Sequence, residues 1–210
     1  NWFAEHHQQA AKLTSLDWLQ LKRAAIAKDA RLASDMGQLR RVVLSAALSG
    51  TPANQLSIVP TEDTALRAAV DGCFNCFYDA RSDFALASNV HHTLDKLSQH
   101  LPLVGITNGN VNAQKVGLDR YFTAILHASV ERPMKPAQNM FDEAASLIKV
   151  TPSHILHVGD NIIKDVFGAI NAGYQSAWFA CNRPMQLKLE PVSVLPHVQL
   201  DSLEELIQFV

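Results

Sequence analysis

Four residues in the second half of the chain have side chains suited to chemistry on a phosphate ester: Thr107, Lys135, Asp160 and Asp165. A hydroxyl and backbone amides can donate hydrogen bonds to an anionic oxygen, and a lysine ammonium can neutralise it as a point charge. Two carboxylates supply the hard oxygen ligands that Mg²⁺ prefers, while substrate oxygens and water complete its shell. Phosphoryl transfer requires mainly such positioning and charge neutralisation.

Thr107 ends an apolar run over residues 103–107 that predicts a buried strand, and Asn108 and Gly109 follow it. A hydroxyl followed by glycine-containing backbone at a strand end suits an anionic oxygen, because several donors can converge there. Asn-Gly is also a common turn. Taken alone, the motif therefore fits a plain turn as well as a phosphate site.

Lys135 lies in a loop before a predicted helix over residues 136–148, and Asp160 follows a strand predicted over residues 155–158. Asp165 comes about a turn and a half later on the next predicted helix. A single lysine is more often solvated surface, and the two aspartates fit a helix N-cap and a surface acid equally well. The combination of the motifs is what favours a site.

The elements that must position these residues change character near residue 89. Before it, apolar residues recur at helical spacing without strand signals, so residues 1–88 are predicted to form an all-helical domain. Over residues 89–210, short apolar runs alternate with helices, which predicts an α/β core with a parallel sheet covered on both faces. In such sheets the ligand lies beyond the C-terminal strand ends.

Local signals give the predicted helix ends. In the first half, Thr14 or Ser15 caps a long helix, Gly50 ends a second one, and a third begins at Thr61. In the second half, three more helices are predicted in addition to the helix over residues 136–148. They cover residues 112–118, 162–172 and 203–209.

Charge and composition argue against two kinds of partner. The chain has 18 basic and 20 acidic side chains and a formal net charge of −2, so it lacks the basic excess of a nucleic-acid binder. It has no run of about 18 apolar residues, so we expect no membrane span. Three cysteines, an odd number in a chain too long to need disulfide bonds, predict a cytoplasmic location. The oligomeric state is left open.

The order of the motifs, Thr107, then Lys135, then Asp160 and Asp165, resembles the second, third and fourth motifs of the haloacid dehalogenase (HAD) superfamily. The match covers residues 103–180, and the helical segment before it is similar to the cap that this family inserts. The resemblance implies an α/β fold, a HAD-like Rossmannoid parallel-sheet core with an inserted all-helical cap. The wording Ile-Thr-Asn-Gly-Asn, Lys-Pro and His-Val-Gly-Asp-Asn is especially similar to bacterial phosphatases of flavin mononucleotide and of the phosphorylated ribitylaminouracil of riboflavin synthesis.

The resemblance also implies a role for each residue of the motifs. Thr107 would hydrogen-bond the transferring phosphoryl group of a small phosphorylated metabolite, with Asn108 and Gly109 presenting polar groups beside it. Lys135 would neutralise charge on the nucleophile and on the phosphoryl oxygens. The residues that would hold Mg²⁺, directly or through water, are Asp160 and Asp165.

The family's first motif, Asp-x-Asp-x-Thr after the first core strand, does not occur between Asn1 and Val210. In the family its first aspartate attacks phosphorus and forms an aspartyl phosphate, and its second acts as acid and base. Because residue 1 is Asn and not Met, we expect roughly 15 to 25 further residues upstream, a strand and a loop, which supply the nucleophile. That strand would lie in the middle of the sheet.

Two other functions are compatible with the sequence. A 2-haloacid dehalogenase shares the fold but attacks carbon without a metal, so the pair Asp160 and Asp165 argues against it. A catalytically inactive HAD-fold binding protein fits the missing nucleophile, although the retained motifs speak against decay. The expected activity is therefore a HAD-type phosphatase.

Further polar clusters are not interpreted as sites. Cys73 and Cys76 have a redox or zinc spacing but lie in a predicted helix without a second pair. The pairs His6-His7 and His91-His92 lack further ligands at metal spacing, and His157, in a predicted buried strand, is interpreted as a core histidine.

Overall fold

The computed structural model describes residues 5, 7–180, 183–191 and 194–210. His6 of the His6-His7 pair and Cys181, the third cysteine, lie outside the described residues. The chain forms two compact units: the first contains Asn1–Asp83, Gly109–Asn112 and Ser129–Glu131, and the second contains Phe84–Asn108, Ala113–Ala128 and Arg132–Val210. The sequence predicts a boundary near residue 89, and the main change of unit falls between residues 83 and 84.

Among the described residues of the first unit, all regular secondary structure is helical. Its helices are α1 (Gln8–Ala11), α2 (Ser15–Lys28), α3 (Met36–Ser49) and α4 (Thr64–Arg81), with 3₁₀ turns at Ala30–Ala33 and Ala53–Gln55.

Helix ends in this unit follow local side-chain chemistry. Thr14 caps α2 in a capping box with Asp17, and Gly50 ends α3 at a φ of 71°. Asp63 caps α4 by accepting hydrogen bonds from the backbone N–H groups of residues 65 and 66, so α4 begins three residues after the predicted start at Thr61. In α3 the buried residues that share one core cluster recur at helical spacing: Leu39, Val42, Val43, Ala46 and Ala47.

The second unit alternates strands and helices. It contains α5 (Ser88–His100), β1 (Val104–Thr107), β2 (Ala124–His127), α6 (Asn139–Ile148), β3 (Leu156–Gly159), a π-helical turn (Ile162–Phe167), α7 (Gly168–Asn171), β4 (Gln175–Trp178), β5 (Val198–Gln199) and a final 3₁₀ helix (Leu203–Phe209). None of the helices in the described part of the chain is long and apolar enough to cross a membrane.

Two predicted helices differ from the structure. Residues 112–118 form a turn, in which Gly117 has a φ of 72° and the N–H of Leu118 bonds the carbonyl of Ala113 at 2.8 Å. The helix predicted over 162–172 begins as a π-helical turn, and α7 follows it.

All strand pairs are parallel, as predicted. β1 pairs with β2, and β3, β4 and β5 pair in that order, so the strands form two sheets where the sequence predicts one. On its other side, neither β1 nor β3 pairs with a strand among the described residues. Thr107 is the last residue of β1 and Asp160 directly follows β3, so both lie at the C-terminal end of a parallel strand.

Candidate active site

Asn108 connects the end of β1 with the loop that precedes α6. Its side-chain Oδ1 accepts a hydrogen bond from the backbone N–H of Lys135 at 2.8 Å, and its Nδ2 donates to the Lys135 carbonyl at 2.9 Å. Both side-chain groups are therefore engaged by the protein. Asn108 thereby positions the backbone of Lys135, and its contact with a phosphoryl group stays a prediction.

Lys135 is buried in the second unit. Its Nζ donates to the carbonyl of Ile106 at 2.8 Å and lies 2.6 Å from Asp165 Oδ1. Only 11% of the Lys135 side chain and 6% of the Asp165 side chain is exposed, so this pair is a buried ion pair and not a solvated surface contact. An ammonium has three N–H groups, and these two partners leave one for a ligand.

Asp165 lies at the centre of the polar cluster. Its Oδ1 also lies 3.1 Å from His157 Nε2, and its Oδ2 accepts a hydrogen bond from the backbone N–H of Asn161 at 2.9 Å. Burial raises the pKa of Asp165, but the His157 hydrogen bond and the Lys135 charge outweigh this effect, so the pKa lies well below its usual range. The carboxylate therefore stays ionised.

The chain around Gly159 brings Asp165 into this position. A Cβ added to Gly159 would lie 2.3 Å from Asp165 Cγ, so only glycine leaves room for the carboxylate. Asn161 caps the π-helical turn by accepting hydrogen bonds from the N–H groups of residues 163 and 164. The helix cap is therefore Asn161, and not Asp160 as the alternative interpretation of the sequence had it.

Asp160 differs from Asp165 in its surroundings. It is exposed, and its carboxylate forms no hydrogen bond or ion pair with another described residue, while its backbone carbonyl accepts a hydrogen bond from Trp178 Nε1 at 2.9 Å. The sequence alone does not distinguish the two aspartates. In the structure, the Asp165 carboxylate accepts from three donors, whereas the Asp160 carboxylate has no partner among the described residues.

The two carboxylates of Asp160 and Asp165 are suited to a magnesium ion whose other ligands are substrate oxygens and water. The described residues contain no group of three or more His, Cys, Asp or Glu that could hold a metal. Mg²⁺ is usually bound through one or two carboxylates, with waters and substrate phosphate completing its shell. Asp160 and Asp165 are the residues that would hold such an ion, Asp160 with a carboxylate that has no partner among the described residues and Asp165 with one that already accepts from three donors.

His157 is the residue whose part in the cluster the sequence does not indicate. It lies in β3, its ring meets that of Phe141 edge-on at 5.1 Å, and its Nε2 faces Asp165. Burial lowers the pKa of His157, which the Asp165 hydrogen bond offsets only in part. No sequence signal links a histidine to an aspartate eight residues later, because the link depends on the turn after β3.

The remaining predicted residues lie as follows. Thr107 is the last, half-buried residue of β1, whereas Gly109 belongs to the first unit. Their contacts with a phosphoryl group stay predictions. Cys73 is buried and Cys76 exposed in α4, and both are free thiols.

A parallel α/β unit with these motifs in this order defines a class of hydrolase. The sequence model of the haloacid dehalogenase-like hydrolases matches residues 7–173, and the chain belongs to this family.

Two curated relatives are phosphatases by name. The 5-amino-6-(5-phospho-D-ribitylamino)uracil phosphatase YigB of Escherichia coli is 35% identical over 130 residues, which is 62% of this chain and 55% of that protein. The human N-acylneuraminate-9-phosphatase is 30% identical over 147 residues, which is 67% of this chain and 58% of that protein. The chain thus spans a little over half the length of these relatives.

A solved structure is similar over almost the whole chain. It is the 2-haloacid dehalogenase of Pseudomonas syringae pv. tomato, with a TM-score of 0.86 and 26% identity, and the match covers 99% of this chain and 85% of that one. The parallel α/β fold expected from the sequence is thereby confirmed.

Proposed function

We propose that the chain forms the cap and most of the core of a Mg²⁺-dependent phosphomonoesterase that acts on a small phosphorylated metabolite. The observation that carries the proposal is the contrast between the two aspartates after β3. Asp165 is buried and paired with Lys135, whereas Asp160 is exposed and its carboxylate pairs with no other residue that the structure describes. One carboxylate thus fixes a cation of the protein, and the other is available to a metal ion.

Each residue contributes positioning or neutralisation, which is what phosphoryl transfer requires. The hydroxyl of Thr107 donates to a phosphoryl oxygen. The ammonium of Lys135, held by Ile106 and Asp165, uses its third N–H for the phosphoryl group and the nucleophile. Mg²⁺ bound at Asp160, with Asp165 acting through water, would neutralise further charge and orient the phosphate.

The nucleophile is proposed to lie upstream of residue 1, in the Asp-x-Asp-x-Thr motif of the family. Within the described part of the chain, β1 and β3 each have one edge without a strand partner, which supports this proposal, since a parallel strand between them would join the two sheets into one. The first aspartate of the motif would attack phosphorus and form an aspartyl phosphate as the alcohol leaves. The second would protonate the alcohol and then take a proton from the attacking water.

The favoured substrate is flavin mononucleotide or a related phosphate of the riboflavin pathway. This choice is supported by the 35% identity to the ribitylaminouracil phosphatase of E. coli and by the amino-acid sequences of the motifs. A cytoplasmic location fits a substrate of this kind, and the free thiols of Cys73 and Cys76 agree with a reducing compartment.

A dehalogenase is the second candidate, because the Pseudomonas structure of that name has a TM-score of 0.86 to this chain. The free carboxylate of Asp160 disfavours it, since attack on carbon needs no metal. An inactive binding protein of the same fold is the third.

One experiment distinguishes the three. Protein expressed from its own start codon is assayed for phosphate release from flavin mononucleotide and p-nitrophenyl phosphate, with Mg²⁺ or with EDTA. We expect release that EDTA abolishes, that Asp160→Asn abolishes, and that Asp142→Asn, an exposed acid in α6, leaves unchanged. Chloride release from 2-chloropropionate in EDTA would establish the dehalogenase. If the protein showed neither activity, the inactive binding protein would be the remaining candidate.

A further inference from the structure

The cluster around Asp165 contains a histidine to which the phosphatase proposal gives no role. His157 Nε2 and Lys135 Nζ both approach the same oxygen, Asp165 Oδ1, at 3.1 Å and 2.6 Å. Only 11% of the His157 side chain is exposed. A polar ring so deeply placed in a strand needs a function or a structural reason.

The contact defines the direction of the hydrogen bond. An ionised carboxylate only accepts, so the His157 Nε2 must carry the proton and donate it. The Asp165 carboxylate then receives donors from three parts of the chain: the loop before α6 (Lys135), β3 (His157) and the turn after β3 (Asn161). With His157 removed, Asp165 Oδ1 keeps Lys135 Nζ as its one remaining donor among the described residues.

The ring of His157 is held in place by packing. It meets the Phe141 ring at 5.1 Å and 76°, and Phe141 is fully buried. Phe141 in turn meets Tyr174 edge-on at 5.4 Å. The donor is therefore oriented by the core before any ligand binds, which is the arrangement that fixes a catalytic group precisely.

We propose that His157 is a positioning residue of the active site: its Nε2–H fixes Asp165, and Asp165 in turn aims the Lys135 ammonium. This inference rests on the proposed phosphatase function. His157 does not touch substrate. Its effect is to keep one N–H of Lys135 directed at the phosphoryl group, while Ile106 and Asp165 hold the other two.

Three substitutions separate hydrogen bonding from packing. In His157→Gln the side-chain amide can place its nitrogen near the position of Nε2, whereas in His157→Asn it reaches only as far as Nδ1. His157→Phe keeps a ring against Phe141 and loses the donor. If the ring served only to fill space, phenylalanine would replace it best and both amides would fail.

We expect the Phe and Asn variants to lose about 10- to 100-fold in kcat on p-nitrophenyl phosphate, as for other residues that orient an active-site group. KM should change little, because the bound substrate keeps its other contacts. The Gln variant should retain most of the activity. Full activity in His157→Phe, or an equal loss in the Gln, Asn and Phe variants with thermal unfolding unchanged, would overturn the proposal.

A second measurement does not depend on activity. Long-range ¹H–¹⁵N spectra of the full-length protein with labelled histidine report which ring nitrogen carries a proton, and the His157→Gln spectrum assigns the signal among the nine histidines. A proton on Nε2 supports the proposal, and a ring protonated on Nδ1 alone overturns it. If wild-type protein releases no phosphate, the proposed function fails while this result still decides whether the His157–Asp165 bond exists.

Discussion

Asn108 and Lys135 lie 27 residues apart in the sequence, and the Asn108 side chain pairs with both backbone polar groups of Lys135. The ammonium of the same lysine is held by Ile106 and Asp165. Lys135 is therefore fixed at its backbone and at the end of its side chain. A cation so constrained loses little conformational freedom when it meets an anion.

Replacing Asn108 with alanine should lower the free energy of unfolding by about 2 kcal/mol, because two hydrogen bonds of about 1 kcal/mol each are lost. Urea unfolding of the purified protein measures the change. Asn139→Ala, at an exposed position in the first turn of α6, is the matched control and should stay within about 0.5 kcal/mol of wild type. An equal effect of both substitutions would contradict the role assigned to Asn108.

Two glycine substitutions should change stability in opposite directions. Gly159→Ala places a Cβ 2.3 Å from Asp165 Cγ, so the carboxylate must move, at a cost of about 1–3 kcal/mol or more. Gly72 lies within α4 with nothing within 4 Å of an added Cβ, so Gly72→Ala should stabilise that helix by about 0.5–1 kcal/mol. Thermal unfolding of both variants tests the pair, and a stabilised Gly159→Ala would show that the approach to Asp165 is not tight.

The elements with clear local signals could be predicted from the sequence. Thr14 caps α2 and Gly50 ends α3, as their positions indicate. The apolar runs of β1 and β3 also predict their strands, because strands of a parallel sheet are continuous in hydrophobicity, although both strands are only half-buried in the structure. These features depend on neighbours within a few residues.

The contacts inside the site depend instead on the path of the chain. Nothing in the sequence shows that Asn108 pairs with backbone 27 residues away, or that a π-helical turn brings Asp165 back toward His157. Residues 112–118 have helical spacing, yet Gly117 adopts a positive φ and closes a turn. Sequence therefore gives the residue types of the candidate site, and folding decides which of them face a ligand.

Tyr174 provides a pH-dependent prediction away from the site. Its hydroxyl donates to the Phe141 carbonyl, and burial raises the pKa of Tyr174 to about 12. An unfolded tyrosine ionises near pH 10, so the folded state binds the proton more tightly. Its contribution to stability is fully present below about pH 10 and is lost as the pH rises toward about 12.

Unfolding of wild type and Tyr174→Phe between pH 7 and pH 12 checks this expectation. The variant should lose about 1 kcal/mol at pH 7, where one hydrogen bond is missing. It should also fall less steeply than wild type at alkaline pH. Parallel curves for the two proteins would show that Tyr174 ionises as it does in the unfolded chain.

The two aspartates after β3 give the sharpest contrast, because the same substitution should have opposite effects on stability and on metal binding. Asp165→Asn leaves the Lys135 ammonium buried without its counter-charge, which typically costs about 3–5 kcal/mol. Asp160→Asn changes an exposed side chain that forms no hydrogen bond or ion pair with other described residues. It should alter stability by less than about 0.5 kcal/mol.

Calorimetric titration with Mg²⁺ completes the comparison. If Asp160 is the direct ligand, Asp160→Asn should abolish the binding heat while the urea midpoint stays at the wild-type value. Asp165→Asn should lower the midpoint first, and any residual folded protein should still bind the metal, more weakly. Undiminished Mg²⁺ binding by Asp160→Asn would exclude this carboxylate as a ligand, whereas loss of stability in that variant would show that the carboxylate is not free. The two readouts separate the aspartate that holds the protein's own cation from the one available to an external cation.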